Sequence, residues 1–253
     1  SLAAIDGSVL KMFAAVIVPP VSACTVAGPP PSLIATIRVG DGPLGIAADP
    51  NARRVYVAVP NDRAIAVIDT DALVLDATIE VPGDPAGLAA DPRTGVLYVV
   101  LKDRNSVAMI DARGGRVLET FPVGSGPWDV CVDPETGTVY VTNEDDDTVS
   151  VIDPAAGTTV ATIAVGDNPL VAQVDPTGGA VYVSDKSADT VTVVDMASNS
   201  VATTFDVGDE PNGIAIDGAT GFRRESSSQL STPGFRCGSR PVSSSTRIDM
   251  ARK

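Results

Sequence analysis

From Asn143 to Asp147 the chain reads Asn-Glu-Asp-Asp-Asp, and Asp167 follows in a turn further on. Crowded side-chain oxygens of this kind suit a hard cation, since Ca²⁺ takes about six to eight oxygen ligands. Asp145, Asp147 and Asp167 are therefore the candidate ligands for Ca²⁺ or another divalent cation. A solvated acidic rim is the competing reading, because like charges in a turn ordinarily face water. No EF-hand spacing is present, and no cofactor is otherwise expected. Recognition of a partner points to Trp128, the one tryptophan, with Asp129, Gln173, Asn143, Glu144, Asp145 and Asp147. Histidine is absent. That excludes Ser-His and Cys-His nucleophilic pairs, so no catalytic residue is assigned. Cys24, Cys131 and Cys237 form no CxxC pair, and neither a zinc site nor a disulfide framework is indicated.

These residues sit in a strict repeat. Tyr56, Tyr98, Tyr140 and Tyr182 are each 42 residues apart. The same interval separates Asp49, Asp91, Asp133, Asp175 and Asp217, and also Asp69, Asp111, Asp153 and Asp195. Val39, Val81, Val123, Val165 and Val207 form a further series. Each period carries four short alternating runs, which is the pattern of a propeller blade of about 40–45 residues. The expected fold is all-β, with four complete four-stranded antiparallel blades at Leu44–Val81, Ala86–Val123, Trp128–Val165 and Leu170–Val207, plus partial ones. Leu33–Val39 reads as an outer strand, expected to pair with Asn212–Asp217. Asp-Pro and Asp-x-x-Gly runs read as Asx turns, assigning both Asp series to structure. Val55, Val57, Ile65, Val67 and their register mates are expected to pack between blades, each contributing roughly 1.5–3 kcal/mol when buried. Trp128 stands where the other blades carry Leu44, Ala86 and Leu170, and Gln173 where they carry Ala47, Ala89 and Cys131. Departures of this kind on an innermost strand mark places where a ligand-facing residue would show; local repacking is the alternative. Cys131 itself reads as a small buried apolar residue.

The segment Val139-Tyr140-Val141-Thr142-Asn143, with Val149-Ser150-Val151-Ile152-Asp153 downstream, resembles the YVTN-type β-propeller repeat. Looser copies begin at Val55, Leu97 and Val181. The resemblance spans about Leu33 to Asp217. It implies a surface or periplasmic protein of a bacterium or archaeon, commonly seven-bladed, in which the repeat is a structural unit. It also implies a larger propeller of which these blades are part. Lactonase-like propellers are similar in fold and use carboxylate and Asn ligands around a central metal, so a metal-dependent hydrolase with a channel site is the alternative to a non-enzymatic binding or scaffold module.

Residues 1–32 read as an export segment. Lys11 precedes an apolar run ending in Val21-Ser22-Ala23-Cys24, which resembles a lipobox with Cys24 as the lipid attachment site. A Pro-rich tether follows. The same stretch also fits a decayed strand, with Ala23 to Ala27 in register with Ile65 to Asp69. Residues 33–221 form the repeat domain. Residues 222–253 are Ser- and Arg-rich without apolar alternation, which fits a disordered or out-of-frame tail. With a net charge of −14 the chain is a poor match for nucleic acid. The expected partner is a protein or a small extracellular ligand, with membrane contact only through Cys24, and the expected location is the periplasm or cell surface.

Overall fold

The computed structural model describes residues 3–4 and 34–216. Cys24, its lipobox and tether, Asp217 and the 222–253 tail lie outside the described residues. The first strands are β1 (Ala3–Ala4) and β2 (Ala35–Thr36), which pair in parallel. Blade one consists of β3 (Ile46–Asp49), β4 (Arg54–Val59), β5 (Ala64–Asp69) and β6 (Val74–Glu80). Blade two consists of β7 (Pro85–Asp91), β8 (Val96–Leu101), β9 (Ser106–Asp111) and β10 (Arg116–Pro122). Blade three holds β11 (Pro127–Val132), β12 (Val139–Asn143), β13 (Thr148–Asp153) and β14 (Thr158–Ala164). Blade four holds β15 (Pro169–Asp175), β16 (Ala180–Asp185), β17 (Thr190–Asp195) and β18 (Ser200–Asp206). Each blade is an antiparallel meander of four strands. The chain is thus a β-propeller module. The innermost strands stand side by side in the order β3, β7, β11, β15, so the blades stack face to face along an arc.

Alternation explains the stacking. A strand sends successive side chains to opposite faces, and both faces of these β-branched central strands are covered. Tyr56, Ala58, Ile65 and Val67 meet Leu88, Leu97, Val99 and Ile110 of blade two. On the other face Val57, Val59, Ala66 and Ile68 pack with Ile37 and Val39. The same division recurs at the next two seams, where Tyr98 faces blade three and Tyr140 faces blade four. The third and fourth strands pair with a register shift in every blade. Such a bulge adds twist, and the outer strands are correspondingly exposed at Val74, Leu118, Val160 and Val201.

Left-handed residues recur in the turns. The connection between second and third strands closes on Arg63, Asn105, Asp147 or Asp189, all at φ between 47° and 58°. Asn and Asp tolerate that region best among residues with a side chain. The Asx turns occur as expected: Asp49 Oδ1 accepts the amides of Asn51 and Ala52, and Asp69 Oδ1 those of Asp71 and Ala72. Asp111, Asp153 and Asp175 repeat the pattern. One expectation is overturned. Residues 211–216 form no strand and do not pair with the 33–39 segment, whose Ala35–Thr36 pairs with Ala3–Ala4 instead. Ile214 and Ile216 nevertheless pack on Tyr182, Val191 and Val193, covering the free face of blade four.

Candidate binding face and channel

The acid-rich turns of one face serve first as ties. Asp62 Oδ2 accepts the Asp41 amide at 3.2 Å, Asp103 Oδ1 the Asp84 amide at 2.7 Å, and Asp146 Oδ2 the Ser125 amide at 2.7 Å. These bonds bind the turn entering a blade to that blade's own central turn. A second set reaches forward to the turn leaving the blade. Arg63 Nε donates to Asp84 Oδ1, Asn105 Oδ1 accepts the Gly126 amide, Asp147 Oδ1 the Asn168 amide at 2.8 Å, and Asp189 Oδ1 the Glu210 amide at 2.8 Å. The carboxylates therefore answer backbone N–H groups that the turns leave unpaired. Asp145 is exposed and close over Gly126, and Asp167 is exposed in the following turn. The structure does not bring Asp145, Asp147 and Asp167 together as a ligand set. Among the described residues no group of three or more His, Cys, Asp or Glu side chains could hold a metal.

Asn143 also departs from its expected role as a ligand contact. It is fully buried, and its Nδ2 donates to Thr148 Oγ1 and Ser150 Oγ, each at 2.9 Å. Gly124 crosses directly above it, where a Cβ would come within 2.7 Å of the amide carbon. Blade four repeats the device with Asp185, whose Oδ2 accepts from Thr190 Oγ1 and Thr192 Oγ1. Burial raises the Asp185 pKa, against the opposing hydrogen bonds. Blades one and two fill the same place with Val59, Ala64, Ala66 and Leu101, Ser106, Ala108. Asn143 thus braces its own hairpin.

Two expected residues, Trp128 and Glu144, do meet beside these turns. Lys102 Nζ lies 4.0 Å from the Trp128 ring centroid and 3.1 Å from Glu144 Oε2. Glu144 Oε1 accepts from Asn168 Nδ2 at 3.2 Å. Blades two, three and four thereby contribute to one cluster, and a cation over an indole face is attractive by about 0.5–2 kcal/mol. Lys102 escaped the reading of the sequence. Its signal was the register series Pro60, Lys102, Glu144 and Lys186, which alternates charge between neighbouring blades.

Below these turns the inner strands approach closely. Gly87 passes β11 so tightly that a Cβ would lie 2.6 Å from the Asp129 Cα, and Gly45 crowds Ala86 in the same way. At the next register position stands Asp129, followed by Val171. Asp129 lies in the register shift between β11 and β12, and its amide turns to Thr142 Oγ1 at 3.0 Å. Its Oδ2 reaches across the seam to the Ala172 amide at 3.3 Å. The Thr142 hydroxyl donates to Leu170 O at 2.8 Å, also across the seam. Burial pushes the Asp129 carboxyl up to about 7, although the Val130 and Ala172 amides favour its charged form. Nearby Cys131 is buried and free, and burial raises its pKa too. Gln173 stays half-buried on β15, paired with Tyr182 across the ladder.

No family model and no curated protein matches the chain. Solved structures do: 1367 chains match, a breadth that speaks for architecture rather than for one activity. Among them is Kuenenia stuttgartiensis hydrazine synthase, with a TM-score of 0.62 and 21% identity over 68% of this chain. The match spans about half, 51%, of that chain. At this identity the likeness concerns the fold alone. Among the described residues no helix is long and apolar enough to cross a membrane.

Proposed function

We propose that this propeller is a non-enzymatic binding module of the YVTN type, working outside the cytoplasm at a bacterial or archaeal surface. Its contact face carries the turns between second and third strands, with Trp128 as the anchor. The observation that supports this reading most is the Lys102–Trp128–Glu144–Asn168 cluster, in which side chains of three blades hold the one indole at the channel mouth. Aromatic side chains on a pre-ordered surface make strong anchors because little rotamer freedom remains to be lost on binding. Glu144, Asp145 and Gln173 would supply the polar contacts around it, while Asp129, tied to the Ala172 amide, takes no part. Cys24 is assigned in the same reading to lipid attachment.

Site-specific photo-crosslinking in cells tests the proposal. A photoreactive amino acid placed at 128 or 145 should yield discrete adducts with a partner, while the same group at Thr94 or Glu135, on the opposite face, should yield none. Adducts from the opposite face alone, or from neither, would overturn it.

A further inference from the structure

We propose that the seam between the third and fourth blades is an acid-tightened latch, closed by Asp129 and Thr142 of blade three against Ala172 and Leu170 of blade four. The first two seams contain no such device. Gly45 and Gly87 occupy the register position of Asp129, and Ala58 and Val100 that of Thr142, so those seams close by direct packing. At the third seam a carboxylate is wedged between inner strands, and it accepts an amide from the neighbouring blade. The hydroxyl of Thr142 makes the parallel crossing to Leu170 O.

The carboxylate has no charged side chain to offset its burial. Strand β11 itself offers Cys131, with Asp133 just beyond its end. The strands packed on β11 carry Tyr140 on β12, Asp91 on β7, Asp175 on β15 and Tyr98 on β8. Asp185 on β16, opposite Pro169, is the remaining acid of the fourth blade's inner ladder. None of these is a cation, and the Asp129 pKa responds to burial and to two backbone amides only. With the folded pKa raised, the closed seam keeps its proton to higher pH than an opened, solvated carboxyl does. Stability of the seam is therefore full below the ordinary carboxylate range. It is lost as pH rises towards about 7, and changes little beyond. The Glu144–Asn168 contact crosses the same seam, so the latch also governs the shape of the mouth.

Amide hydrogen exchange on the full chain decides the matter, with protection factors corrected for the intrinsic pH dependence of exchange. Between pH 5.5 and 7.0, protection of β15 should fall more than tenfold (about 1.4 kcal/mol), then level off by pH 8.5. Protection of β7 should stay flat. Asp129→Asn should abolish the fall in β15, and Asp129→Gly, which copies blades one and two, gives a second variant should the amide fail to fold. Asp185→Asn should leave it in place. A flat β15 profile in the wild type, a fall that persists without Asp129, or one that vanishes in Asp185→Asn would overturn the latch.

Discussion

Replacing Asn143 by Leu, the residue blade two uses at that position, should destabilise the protein because the neighbours were not replaced with it. Ser150 is 1% exposed and Thr148 is half-buried. Without the Asn143 amide both hydroxyls lose their donor. A buried polar group left unpaired costs about 1–3 kcal/mol, and less for the half-buried one. The added apolar burial of Leu offsets roughly 1 kcal/mol of this. Leu also removes Asn143 Oδ1, which is buried without a partner, so the net loss comes to about 1 kcal/mol, or a drop of about 2–4 °C in Tm for a domain of this size. Carrying over the whole blade-two set, Asn143→Leu with Thr148→Ser and Ser150→Ala, should recover most of it. Circular dichroism melts of the single, the Thr148→Ser/Ser150→Ala pair and the triple form a cycle that isolates the coupling, expected at 1 kcal/mol or more. A triple variant no more stable than Asn143→Leu would refute the reasoning, since it would place the role of Asn143 outside its own hairpin.

Asp185→Asn should raise Tm at pH 8 and leave it unchanged at pH 4, because a buried carboxyl with a raised pKa stabilises only while it holds its proton. A gain that is equal at both pH values would contradict this. Gly87→Ala should cost about 1–3 kcal/mol by forcing β7 away from the Asp129 backbone. Gly179→Ala, which meets open space, should lose only about 1 kcal/mol or less from its left-handed φ of 64°; equal losses would remove close approach as the cause. Millimolar Ca²⁺ should shift Tm no more than NaCl of matched ionic strength, since Asp146 and Asp147 already accept turn amides. A specific Ca²⁺ shift would return the acidic turns to the role of ligands.

The blades were legible because every marker of the repeat has a local cause. Tyr56, Tyr98 and Tyr140 are each sandwiched between blades, and the Asp series closes Asx turns whose geometry depends on three or four consecutive residues. Within Val139–Asn143, Tyr140 packs the seam, Thr142 answers a bulged amide and Asn143 braces the hairpin. The site was less legible. Comparing repeats shows that Asn143 departs from Val59 and Leu101, but not whether it turns outward to a ligand or inward to Thr148 and Ser150. The companion changes at 148 and 150 carried that answer. Lys102 was missed because its partner is 42 residues away, in the same register of the next blade. The pairing expected between the segment at 33–39 and residues 211–216 failed for another reason. Apolar alternation at Ile214 and Ile216 serves packing on blade four equally well, without a ladder.

The acidic turns are ties between strand ends. The direct measurement is residue-resolved amide exchange at Asp41, Asp84, Ser125, Asn168 and Glu210. These amides lie in surface turns, and untied they would exchange at nearly the rate of a free peptide. All five should be protected in the wild type, and Asp147→Ala should release Asn168 while leaving Ser125 protected by Asp146. Exchange of the five at free-peptide rates in the wild type would contradict the account.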